Sequence, residues 1–123
     1  MTIIDAITQI DDLKKNTYSQ EQKIRWLSRL ESMVKRLVID THEGGENVSF
    51  DGFDENTDPE TVLLMPEPFD QCYLYWLEAQ IHYANEDIDM YNSAITMFNT
   101  AFSGYKDHYK RTHTPKGCGR FRF

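Results

Sequence analysis

A chain of 123 residues with seven Tyr, seven Phe and two Trp is long enough for one packed domain and too aromatic for disorder over most of its length. No apolar run approaches 18 residues, Met1-Thr2-Ile3-Ile4-Asp5 lacks the basic start of a signal peptide, and two cysteines make no disulfide framework, so a cytoplasmic chain with free thiols at Cys72 and Cys118 is expected. The net charge of −7 is segregated: residues 37–105 hold 14 acids and no base, whereas 1–36 sum to +2 and 106–123 to +5, a pattern that bears on partners and assembly rather than on fold.

The first helix is announced by Thr2, with Asp5 three residues on as a capping box, and by Ile3, Ile7 and Ile10 at helical spacing, flanked by Ala6 and Leu13. Asn16-Thr17-Tyr18 interrupts it. Ser19 with Gln22 opens a second helix whose buried face is predicted as Ile24, Leu27, Leu30, Val34 and Leu37, widened by Trp26 and Met33. Lys23, Arg25, Arg29, Lys35 and Arg36 fill its remaining surface as a basic, solvated face, and Gly44-Gly45 ends the unit.

Residues 43–66 have no helical period. They form a long acidic insertion in which Val48-Ser49-Phe50 and Val62-Leu63-Leu64-Met65 predict a short β-hairpin. Its apolar residues, among them Phe50, Phe53, Val62 and Leu64, predict a segment that is mobile in the isolated chain and becomes ordered against neighbouring subunits.

Pro66 and Pro68 bracket the expected start of a third helix carrying Tyr73, Leu77, Ile81 and Ala84, with Phe69, Trp76 and Tyr83 alongside. Asn85-Glu86-Asp87 is a tight polar corner that returns the chain antiparallel. The fourth helix, about 87–110, has the most regular pattern: Ile88, Tyr91, Ile95, Phe98, Phe102, Tyr105 and Tyr109 alternate steps of three and four, which predicts it as the central buried element. The expected architecture is mainly α, an antiparallel bundle of about four helices spanning 1–114, followed by a flexible basic tail at 115–123.

Motifs of catalysis are missing from the sequence. There is no Gly-rich phosphate loop, no G-x-S-x-G and no H-E-x-x-H, and Ser103-Gly104 reads as a close-packing point rather than a reactive serine. His42, His82, His108 and His113 do not fall at zinc spacing with either cysteine, and His82 is expected half-buried and hydrogen-bonded. Asp51, Asp54, Glu55, Asp58 and Glu60 supply carboxylate oxygens without the ordered spacing of a calcium loop. No enzyme, metal or cofactor is therefore expected. The insertion acids are candidate subunit contacts. Lys110, Arg111, Lys116, Arg120 and Arg122 are candidate docking residues, suited either to phosphate with Phe121 and Phe123 stacking or to an acidic groove on a protein.

Several short runs are similar to one group of proteins. Ile4-Asp5-Ala6-Ile7, the stretch Asn16 to Leu27, Asp40-Thr41-His42-Glu43-Gly44-Gly45, Tyr75-Trp76-Leu77-Glu78-Ala79-Gln80-Ile81 and Lys110 to Lys116 resemble head–tail connector (head-completion adaptor) proteins of tailed phages and prophages of Gram-positive bacteria. The resemblance spans nearly the whole chain and implies a helical-bundle virion protein, present in the host cytoplasm during assembly. It implies a homo-oligomeric ring between the portal and a tail-side completion protein, through which DNA passes without sequence-specific binding, with Asp51, Asp54, Glu55, Asp58 and Glu60 as candidate channel residues. No membrane partner is implied. The acidic insertion departs from the shortest helical members. A second reading of the charge is an acidic inhibitor that mimics DNA and blocks a nucleic-acid-binding enzyme.

Overall fold

The computed structural model describes residues 1–48, 50–54 and 56–113. It is mainly helical, with four α-helices: α1 (Ile3–Leu13), α2 (Gln20–Val34), α3 (Gln71–Ala84) and α4 (Ile88–Thr112). The N-termini of α1 and α2 follow local chemistry. The Thr2 hydroxyl accepts from the Asp5 N–H and the Asp5 carboxylate accepts from the Thr2 N–H, closing the capping box. Ser19 caps α2 through the Gln22 N–H, but the Gln22 side chain accepts from Arg25 instead of reaching back.

α1 buries Ile3, Ala6, Ile7 and Ile10, whereas Leu13 is 65% exposed. α2 buries Ile24, Trp26, Leu27, Leu30 and Val34, then continues as one π turn, Lys35–Ile39. A π turn takes up one more residue than an α turn and rotates the following side chains. The predicted Leu37 is therefore 51% exposed, and Val38 and Ile39 enter the core in its place. The π turn ends at Ile39, and the chain then reverses through Gly44, whose φ of +87° suits a residue without Cβ, and Gly45, where an added Cβ would lie 2.4 Å from the Ile39 carbonyl oxygen.

The third helix begins later than the prolines suggested. Residues 66–70 form turns, and α3 starts at Gln71. It is apolar on most sides, burying Cys72, Tyr73, Leu74, Leu77, Ala79 and Ile81, and it packs against α1, α2 and α4. It is the centre of the bundle. The regular stripe of α4 did not make that helix central: only Ala94, Phe98, Phe102 and Tyr105 are buried, and Ile88 is 57% exposed. α4 lies on the flank, packed chiefly on α3, and meets the π turn near its end. The corner Asn85-Glu86-Asp87 turns the chain as expected, with Glu86 at φ 62° and Asp87 capping α4 through the Met90 N–H. Aromatic pairs zip the antiparallel hairpin: Tyr83 with Tyr91, Trp76 with Phe98, and Phe69 with Tyr105, at centroid distances of 5.4, 5.2 and 5.7 Å.

The described residues of the insertion bond to the chain's own N-terminal segment and to α2. Ile3 N–H donates to the Thr61 carbonyl, Ile4 N–H to Pro59, and Leu63 N–H to Met1. Phe53 N–H donates to the Ser28 hydroxyl at 3.0 Å. Leu63 and Met65 are buried. The expected β-hairpin is not found among the described residues: Val62 makes an isolated antiparallel bridge with Thr2, and Gly45–Asn47 is a 3-10 turn. A segment whose carbonyls accept from α1 and whose N–H groups donate to Met1 and α2 does not need a second strand.

Candidate functional site

The acidic residues singled out from the sequence do not converge. Asp51, Asp54, Asp58 and Glu60 are exposed, and Glu55 lies outside the described residues. Two of them fold their own loops. The Asp54 carboxylate accepts from the Asn56 N–H at 2.8 Å and from the Thr57 hydroxyl at 3.3 Å, and Asp58 accepts from the Glu60 N–H at 2.9 Å. Among the described residues no three His, Cys, Asp or Glu side chains are grouped to hold a metal ion. Asp54 and Phe53 border a cleft of about 310 Å³ against Glu21, Ile24 and Arg25 of α2.

Of the predicted docking cations, Lys110 and Arg111 are exposed in the last turn of α4, where they complement the carbonyl end of the helix. Lys116, Arg120 and Arg122, with the whole tail 115–123, fall outside the described residues. The basic face of α2 is smaller than its sequence implied. Lys23 is buried and bonded to Asp11 at 2.6 Å, and Lys35 pairs with Asp40. Arg25, Arg29 and Arg36 remain exposed.

Two surfaces at the ends of the α3–α4 hairpin are better defined. At the corner, Tyr83 is 62% exposed, Ile88 57% and Met90 42%, with exposed Glu86, Asp87 and Asp89 among them. At the other end, Leu37, Thr41 and His42 face Lys106, Asp107 and Lys110 across a groove of about 300 Å³. His42 is itself buried, and its Nδ1 lies 2.7 Å from the Val38 carbonyl, so that nitrogen carries the proton. Its Nε2 is buried without a hydrogen-bond partner among the described residues. Among the described residues neither Lys106 nor Lys110 is in an ion pair, and the Lys106 ammonium sits 5.2 Å above the Phe102 ring.

Sequence reasoning missed Glu31. Fully buried on α2, it accepts the Leu64 N–H at 2.8 Å and the Tyr73 hydroxyl at 2.5 Å, while the Tyr73 oxygen accepts the Met65 N–H at 2.7 Å. Burial pushes the Glu31 carboxyl up to about 7, against the opposing pull of the Tyr73 and Leu64 hydrogen bonds. Burial and the neighbouring Glu31 likewise raise the Tyr73 phenol. The signal was a glutamate one residue after Leu30 and three before Val34, inside the apolar stripe. Sealed from water, the network bolts residues 64 and 65 to the bundle and offers a substrate no access. Cys72 is a free, fully buried thiol, which burial pushes up to about 11 and so makes a poor nucleophile.

His82 is half-buried as expected but not hydrogen-bonded. Its Nε2 stands 3.5 Å from Glu78, whose carboxylate also pairs with Lys14 at 3.2 Å and so ties α1 to α3. Ser103-Gly104 is not a close-packing point: an added Cβ on Gly104 would meet no atom within 4 Å. Among the described residues no helix is long and apolar enough to cross a membrane. Compared with protein-family models, with curated proteins and with solved structures, the chain finds no match.

Proposed function

We propose that this chain is a structural adaptor of a phage or prophage virion: a head–tail connector subunit that forms a ring under the portal and extends the DNA exit channel, without turnover or cofactor. The observation that carries the reading is the charge map laid on the fold. From residue 37 to residue 105 there is no base, and the exposed insertion acids Asp51, Asp54, Asp58 and Glu60 have no cationic partner among the described residues. Unpaired carboxylates repeated round a ring repel phosphate and let DNA slide past without adhering. Arg111 and the cations of the tail then face acidic surfaces of the portal or of the tail-side completion protein. The resemblance of the short runs to connector proteins supports the same reading, as does the helical bundle.

The test is native mass spectrometry of the chain with purified portal from the same genome. The adaptor reading expects a complex with one chain per portal subunit that forms without DNA. A chain that ignores the portal and instead binds a basic nuclease or polymerase in competition with DNA would replace the adaptor with the DNA-mimicking inhibitor.

A further inference from the structure

The two ends of the α3–α4 hairpin are complementary. The corner is apolar and acidic: Tyr83, Ile88 and Met90 are exposed among Glu86, Asp87 and Asp89. The groove at the other end is apolar and basic: it is lined by exposed Leu37 and by Lys106 and Lys110, neither in an ion pair among the described residues, with Asp107 as the one acid of its lining and the unpartnered Nε2 of His42 buried in its wall. We propose that the acidic hairpin corner of one copy seats in the Leu37–Lys106–Lys110 groove of a second copy.

The two surfaces cannot meet within one chain. Ile88 and Lys110 are on the same helix, 22 residues apart, which is about 33 Å at 1.5 Å per residue. The contact is therefore between copies. Ile88 and Met90 would cover Leu37, an apolar side chain that the π turn rotates out of its own core. Glu86 and Asp89 would lie beside Lys106 and Lys110, removing unpaired charge from both surfaces. A patch at one end and its receptor at the other make a head-to-tail interface, which closes into a ring when the rotation per step permits. The inference rests on the ring-adaptor reading for that closure. The contact itself rests on the charge and exposure of the two surfaces.

Two measurements on the full chain test it. Sedimentation velocity up to about 1 mM detects contacts with millimolar Kd. Lys106→Glu/Lys110→Glu and Glu86→Lys/Asp89→Lys should each weaken self-association at least tenfold, and an equimolar mixture of the two should associate again. Asp87 is left intact because it caps α4, and Asp12→Lys on α1 serves as a control that should change nothing. In the second measurement, a spin label on Met90→Cys in a Cys118→Ser background, mixed with unlabelled ¹⁵N chain, should broaden the amides of Leu37, Lys106 and Lys110. Cys72 is fully buried and stays unlabelled.

Broadening elsewhere, or self-association indifferent to both double variants, overturns this contact and leaves the ring reading standing. A closed dimer in which each corner fills the other's groove keeps the contact and overturns the ring. A chain that is monomeric throughout and shows no broadening overturns the contact, while portal binding separately judges the adaptor.

Discussion

Glu31 occupies a place in the α2 stripe where an aliphatic side chain would pack, and its consequence is a pH dependence of stability. The folded carboxyl sits at about 7 against an ordinary value of 4.5, so between those values the folded chain holds a proton that the unfolded chain has released. The folded state binds more protons, and its stability falls as pH rises. The contribution is present in full below about 4.5 and is lost as pH rises through about 7, on the order of 3 kcal/mol in total. Asp5 has the opposite sign, because the Thr2 hydrogen bonds lower its pKa and favour the folded state as pH rises from the acid side. Denaturant unfolding at pH 5 and pH 8 should show the loss, and Glu31→Gln should flatten it. Equal pH slopes in the two proteins would remove Glu31 as the cause.

Gly104 gives a second expectation at this scale. It stands in the interior of α4, exposed, with open space where a Cβ would go. Gly104→Ala should stabilise the fold by about 0.5–1 kcal/mol. Gly45→Ala, with its Cβ against the Ile39 carbonyl, should destabilise by about 1–3 kcal/mol. Thermal melts of the two variants should move in opposite directions.

Among the elements, the α3–α4 hairpin divides into a packed half and an exposed half, and mutation should separate them. Phe98 is buried between Trp76 and Phe102, at 5.2 and 5.3 Å, and Phe98→Ala should cost about 3–5 kcal/mol. Ile88→Ala, at the corner, should change stability by no more than about 0.5 kcal/mol. Comparable losses at both sites would mean that the corner is packed in the isolated chain. The helices themselves were legible because their signals are local: Thr2 with Asp5, Ser19, and the stripes at three- and four-residue steps. Their order of burial was not, because a regular stripe in α4 shows one apolar face whereas α3 is apolar nearly all round, and it is the second pattern that marks a central helix. The π turn left no mark in the spacing, so Leu37 and Val38 exchanged places. The seating of the insertion was not legible for a related reason: its partners Met1, Ser28 and Glu31 are distant in sequence, and no local period announces a hydrogen bond between Leu64 and Glu31.

For the whole molecule, the separation of charge predicts that assembly and folding respond differently to salt. Among the described residues the fold holds a buried apolar core and few ion pairs, of which only Lys23–Asp11 involves a buried cation. Its stability should therefore change little between 50 mM and 500 mM salt, since exposed pairs contribute about 0–1 kcal/mol each. Contacts that place acids of the segment 37–105, whose formal charge is −14, against basic ends should weaken over the same range, as the Debye length falls from about 14 Å to about 4 Å. Reversal of Lys116, Arg120 and Arg122 to glutamate should act in the same sense, weakening portal docking while leaving the melting temperature unchanged, because each subunit of a ring repeats the loss. One reversal alone should be hard to detect at the energy of a single exposed pair. Portal binding indifferent to salt and to the triple variant would remove charge as the guide to docking. Binding that strengthens with salt would shift the interface to apolar surface, and Tyr83, Ile88 and Leu37 would be the side chains to replace first.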